Sequence, residues 1–173
     1  MSDIRIKLNE RMGTFKKLHG VNNGPVTYGS LVDVTKYYRK VGIPLVRLHD
    51  PNWPHPREID IHHIFPDLDK DPEDPCNYDF STSDEYMRTV IATGADVLVR
   101  LGESIEHTDK KYFVHPPKDY AKWTRVCVNI IRHYNEGWNN GFEYGIKYWE
   151  IWNEPDLPRK MWCGTAEDYD SLY

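Results

Sequence analysis

Cysteine is scarce in this sequence, basic runs are missing, and no apolar stretch approaches the length that spans a membrane. The three cysteines, Cys76, Cys127 and Cys163, are widely separated and odd in number. That pattern argues against a disulfide framework and a Cys-x-x-Cys zinc site, and it points to a reducing, cytoplasmic setting. Residues Met1 to Arg11 are polar and carry no apolar signal core, so no secretion signal is expected. The net charge is −5, which excludes a nucleic-acid binder that neutralises phosphates with Lys and Arg. Neither nucleic acid nor membrane is therefore an expected partner. No Gly-x-Gly-x-x-Gly follows the first predicted strand, where Asn22-Asn23-Gly24-Pro25 stands instead. That weighs against a dinucleotide-binding fold.

What is present is a chain of 173 residues, enough for one domain with a sizeable core, and an aromatic content of 6 Trp, 12 Tyr and 5 Phe. Aromatic faces stack on sugar rings and bases, and they also fill cores. The order of elements is more informative. A short strand is predicted over Lys17 to Asn22. A helix is predicted over Gly29 to Val41, with apolar residues at 31, 34, 38 and 41 and a stop at Gly42. A second strand runs from Pro44 to His49, and a long loop rich in Pro, Asp and His fills Asp50 to Phe80. Thr82 and Glu85 predict a capping box for a second helix that ends at Gly94. Ala95 to Leu101 is the third strand. The third helix, Lys118 to Asn135, has an apolar stripe of Trp123, Val126, Cys127, Ile130, Ile131 and Tyr134, with Asn129 on the opposite face. Lys147 to Asn153 is the fourth strand, and Thr165 with Asp168 caps a fourth helix.

Regular β-α alternation predicts parallel strands with right-handed crossovers. The polar groups gather where strands end: Asn22, Asn23, Arg47, His49, Asp50, Glu103, Asn153 and Glu154. A barrel collects its function on that side. The expected fold is therefore α/β, a partial (β/α)8 barrel holding the first four βα units with the fourth helix truncated. A full barrel has eight strands in about 250 residues, so residues 1–173 are expected to be the N-terminal half of a longer catalytic domain.

Alternation places Glu150, Trp152 and Glu154 on one face of the fourth strand, and Arg47 and Arg100 are expected to neutralise Glu150 there. Asn153 falls on the other face and needs a twist or bulge to join Glu154. A carboxyl at the tip of a buried strand is expected to be poorly solvated, which favours its neutral, proton-donating form. His49, His55, His62 and His63 lie on or near one loop, but their spacing matches no zinc pattern, and no metal is expected. Trp53, between Pro51 and Pro54, reads either as a sugar-stacking wall or as an anchor for the loop. Trp162 is placed at the border of the cleft. Glu103 reads as a loop carboxylate that meets water or a substrate hydroxyl.

Trp152-Asn153-Glu154-Pro155 at the end of a fourth strand resembles the acid/base signature of retaining glycoside hydrolases built on (β/α)8 barrels. With Gly20-Val21-Asn22, Val46-Arg47-Leu48-His49 and Tyr148-Trp149-Glu150-Ile151, the chain looks most similar to glycoside hydrolase family 39, which includes β-xylosidases and α-L-iduronidases. The resemblance implies that Glu154 is the general acid and then the base. It implies that Asn153 binds the sugar 2-hydroxyl, that His49 contacts the sugar, and that Arg47 helps hold the carboxylates. The nucleophile is implied at the end of a seventh strand, outside these residues. The partner is then a carbohydrate, an oligosaccharide or a glycoside, and no cofactor is required. A non-catalytic carbohydrate-binding relative and a nucleotide-dependent α/β enzyme are the other classes.

Overall fold

The computed structural model describes residues 4, 7–27, 31–49 and 57–173. Asp50, Trp53 and His55 lie outside the described residues. Strands β1 (Val21–Asn22), β4 (Leu45–Leu48), β5 (Asp96–Leu101) and β6 (Tyr148–Ile151) form one sheet in that order, and every neighbouring pair is parallel. Spatial order thus follows chain order, as expected of regular β-α alternation with neighbouring parallel strands. A hairpin of β2 (Val26–Thr27) and β3 (Val32–Asp33) stands apart.

The helices are α1 (Thr35–Val41), α2 (Ile61–Ile64), α3 (Ser81–Ile91), α4 (Tyr120–Glu136) and α5 (Ala166–Asp170). The helix expected from Gly29 starts only at Thr35, because the β-branched residues Val26, Thr27 and Val32 pair as strands. Its stop is as expected: Gly42 adopts a left-handed φ of 69° and its N–H closes the last turn on Tyr38 and Arg39 carbonyls. The Thr82–Glu85 capping box does not form. Asp79 lies one turn earlier and its Oδ1 accepts from the Ser81 N–H at 2.9 Å and the Ser81 hydroxyl at 2.6 Å. The Thr165–Asp168 box does form at α5.

The core lies between the sheet and α3 and α4. Val46 and Leu48 of β4 and Val97, Val99 and Leu101 of β5 join Met87, Val90, Val126, Ile130 and Tyr134 in one buried cluster. Asn129 was expected on the outer face of α4 and is fully buried instead. The loop before α3 wraps across the helix, and Asn129 Nδ2 donates to the Pro72 carbonyl at 2.8 Å and the Tyr78 hydroxyl at 3.3 Å. That loop is also less loop-like than its Pro and Asp content suggests. Ile59, Ile61, Ile64 and Phe65 are all buried, and α2 forms among them. Cys76, Cys127 and Cys163 are free thiols, and burial pushes the Cys127 thiol well up.

Candidate active site

Alternation sorts the sheet into two faces. The face away from the core carries Asn22, Arg47, Leu98 and Tyr148 in register across four strands, with Glu150 two residues beyond Tyr148. Arg47 reaches diagonally to Glu150 in a two-pronged pair, Nε to Oε2 at 2.7 Å and Nη2 to Oε1 at 2.8 Å. The fork matches a carboxylate plane, so this half-buried pair is both oriented and charge-balanced.

Arg100 was expected to share Glu150 and does not. Its guanidinium is fully buried and turns to Asp60, Nη2 to Oδ1 at 2.6 Å, and also donates to the His49 carbonyl at 2.9 Å and Ser104 Oγ at 3.1 Å. Asp60 sits at the start of α2, far along the chain, and no periodicity advertises it. Arg47 alone satisfies Glu150 with both prongs, which leaves Arg100 to a second acid.

The chain leaves β6 by a sharp turn. The Trp152 N–H still bonds the Leu101 carbonyl at 2.7 Å, but Trp152 has a left-handed φ of 63° and Glu154 one of 44°. Gly102, at φ 154°, lies against Trp152; a Cβ there would stand 3.1 Å from the Trp152 Cα. That close approach requires glycine. The twist rotates Asn153 onto the face of Arg47. Asn153 is buried, accepts from Arg47 Nη2 at 2.7 Å and donates through Nδ2 to Glu154 Oε2 at 3.1 Å. The structure therefore brings Arg47, Asn153 and Glu154 together.

Glu154 itself is exposed, contrary to the expectation of a poorly solvated acid. Its left-handed backbone carries it past the strand tip into a turn closed by the Leu157 N–H on the Glu154 carbonyl at 3.0 Å. Water reaches the side chain at that turn. Trp162 corrects a second expectation. It is buried, stacks edge-on against Trp152 with centroids 5.0 Å apart, and donates to the Thr165 carbonyl, so it supports the turn from behind. His49 stands at the end of β4, its N–H directed to Asn23 Oδ1 at 3.3 Å.

Glu103 is not a water-facing loop carboxylate. It is buried beside α2, where its Oε1 accepts from the His62 N–H at 3.2 Å and its Oε2 bonds His62 Nδ1. Arg57 Nη1 lies 2.9 Å from His62 Nε2. A guanidinium only donates, so Nε2 accepts and Nδ1 carries the hydrogen offered to Glu103. Burial pushes the Glu103 carboxyl up to about 6, with Asp60 adding to the rise and His62 opposing it. Asp60, His62 and Glu103 place ligand-type atoms within 4.8 Å of one another, the one such grouping among the described residues. Those atoms are already engaged with Arg100, Ser104 and each other, and a neighbouring guanidinium repels a cation. The grouping reads as a hydrogen-bonded cluster. It borders a cavity of about 510 Å³ lined by His62, Phe65, Glu103, Phe113, Trp123 and Trp152. Sequence reasoning missed Glu106 as well, whose carboxylate accepts the Tyr112 and Phe113 N–H groups at 2.8–2.9 Å and pins the loop over that cavity.

With this geometry in place, likeness to known proteins narrows the class. No family model matches the chain. It is 37% identical over 60 residues to a β-xylosidase of Caldicellulosiruptor saccharolyticus, covering 35% of this chain and 12% of that protein. It is 28% identical over 123 residues to a β-xylosidase of Geobacillus stearothermophilus, covering 64% of this chain and 23% of that protein. The crystal structure of a glucosidase from Croceicoccus marinus superposes with a TM-score of 0.79 and 29% identity, over 95% of this chain and 34% of that one. The chain is a relative of glycoside hydrolases. It spans about a third of the glucosidase.

Proposed function

We propose that these residues form the acid/base half of a retaining glycosidase site, in a protein of the family 39 type with β-xylosidase-like or α-L-iduronidase-like substrates. The observation that carries this reading is the Asn153–Glu154 pair at the exit of a parallel strand, with the Asn153 amide held by Arg47. The sequential four-strand sheet is read as half of a (β/α)8 barrel. Glu154 protonates the departing glycosidic oxygen while a second carboxylate from outside these residues, its carboxyl group about 5–5.5 Å from that of Glu154, attacks the anomeric carbon. A covalent glycosyl-enzyme results. Glu154 then takes a proton from water, which releases the sugar. Asn153 grips the 2-hydroxyl, and the bound sugar shields Glu154 until the leaving group departs and a water takes its place.

The test is a titration of the chain with xylose and a xylose-configured iminosugar, read by NMR at Asn153 and Glu154, together with an assay on an aryl β-xyloside. The expected result is binding at both residues, tighter for the cationic iminosugar, a preference that Glu154→Gln removes, and no turnover above that variant. Absence of any perturbation at Asn153 and Glu154 overturns the glycosidase reading. Turnover abolished by Glu154→Gln overturns the placement of the nucleophile. The exposure of Glu154 favours a second reading, a non-catalytic carbohydrate-binding relative. It requires that Glu154→Gln leave both sugar affinities equal and unchanged.

A further inference from the structure

Glu150 does not touch the acid/base carboxylate, yet it stands at the head of an unbroken chain of contacts that ends there. Its carboxylate takes both prongs of Arg47 at 2.7 and 2.8 Å. The same Arg47 Nη2 donates to Asn153 Oδ1 at 2.7 Å. Asn153 Nδ2 then donates to Glu154 Oε2 at 3.1 Å. Each link restricts the next for a chemical reason. A guanidinium has donors only, so the oxygen of the Asn153 amide must face Arg47. A carboxylate oxygen beside the amide calls for a hydrogen, so Nδ2 must face Glu154. Both neighbours demand the same orientation of one buried amide.

Arg47 is a long side chain with many rotamers, and it reaches Asn153 through one nitrogen, Nη2. The two-pronged pair with Glu150 fixes the guanidinium plane, so little freedom remains to lose in the contact with Asn153. The Asn153 amide has two Nδ2 hydrogens, and only one is used, toward Glu154, among the described residues.

We propose that Glu150 is a positioning residue: through Arg47 it locks the Asn153 amide so that one Nδ2 hydrogen holds Glu154 and the other is presented to a hydroxyl of the bound sugar. The ligand half of this statement rests on the glycosidase reading above; the relay itself does not. Glu150 is about one-third exposed at its side chain, so its neutral isostere is compatible with folding.

The experiment compares the isotope-labelled chain with Glu150→Gln, Glu150→Asp, Asn153→Ala and the Glu150→Gln/Asn153→Ala pair. It reads the Asn153 side-chain amide signals, the Arg47 Nε–H signal and imino-xylitol affinity. In the parent chain the two Asn153 amide protons are expected to be sharp and well separated. Glu150→Gln should displace and broaden them together with Arg47 Nε–H, and weaken imino-xylitol binding about tenfold, the scale of one charge-assisted hydrogen bond. Glu150→Asp retains the charge and should restore part of both effects. The double variant should bind no worse than Asn153→Ala alone, because both changes act on one contact. Unmoved Asn153 amide signals in Glu150→Gln, with Arg47 Nε–H displaced, overturn the relay whatever happens to the sugar. Displaced amide signals in a chain that binds no imino-xylitol leave the relay standing and sink the glycosidase reading instead. Should Glu150→Gln fail to fold, the amide signals of Glu150→Ala, which also loses the carboxylate, decide in its place: displacement supports the relay and parental values refute it.

Discussion

Two arginines on neighbouring strands face the same side of the sheet and meet different fates. Arg47 keeps the acid that alternation assigned to it, whereas Arg100 is withdrawn to Asp60 and becomes fully buried. The Asp60–Arg100 pair is the more vulnerable of the two, because neither partner is open to water. Removing one charge strands the other in the interior. Asp60→Asn is expected to destabilise the fold by about 3–5 kcal/mol, measured by urea unfolding, while the exposed pair Arg132–Glu136 tolerates Glu136→Gln with a loss under about 0.5 kcal/mol. Residue-scale legibility was uneven for the same reason. Arg47, Glu150 and Asn153 lie within or beside strands whose period of two assigns their faces. Asp60 and His62 lie at the start of a helix of a single turn and Glu106 on a loop, too short or too irregular to show a period, so nothing local announces their partners.

At the scale of elements, the strand exit matters most. β6 ends, Trp152 turns left-handed, and the turn brings Asn153 around to Arg47. Gly102 makes room for that turn from the neighbouring strand end. Gly102→Ala adds a methyl group against the Trp152 backbone at a positive φ, and is expected to lower stability by about 1–3 kcal/mol in urea unfolding. The same substitution at Gly13, which has open space around it, should be neutral within experimental error. The helices show where pattern suffices. The stripe on α4 is buried almost as its spacing indicates, because a long amphipathic helix has only one way to hide that face. The start of α1 was misplaced, since the apolar spacing of Leu31 and Val34 fits a helix and ignores the β-branched residues that pair in the hairpin. The cap of α3 lies earlier than Thr82 indicates, because Asp79 takes the Ser81 N–H and the helix is already under way at Thr82.

The whole molecule carries one internal tension that pH can expose. Glu103 is buried, and its carboxyl is pushed up to about 6, above the ordinary glutamate range. A folded-state value raised above the unfolded one means that the folded protein prefers the protonated acid. The contribution is fully present below about 4.5, the unfolded value, and is lost as pH rises through about 6. A rise of that size corresponds to roughly 2 kcal/mol. Stability attributable to Glu103 should therefore fall between these two pH values, and Glu103→Gln should flatten that part of the stability profile in urea melts at matched pH. A profile of unchanged slope in the variant would place the tension elsewhere.

What the sequence by itself determined is the order and direction of the strands, the faces that alternation assigns, and the Asn-Glu-Pro step at a strand exit. These follow from local periodicity and from the handedness of crossovers, which act wherever the chain is placed. The tertiary structure alone decided which acid each arginine takes, that Glu103 is buried against His62, and that Glu154 stands exposed beside the Asn153 amide. Those outcomes depend on groups 40 to 106 residues apart meeting at hydrogen-bond distance, where desolvation and donor-acceptor geometry choose among partners that local pattern cannot rank.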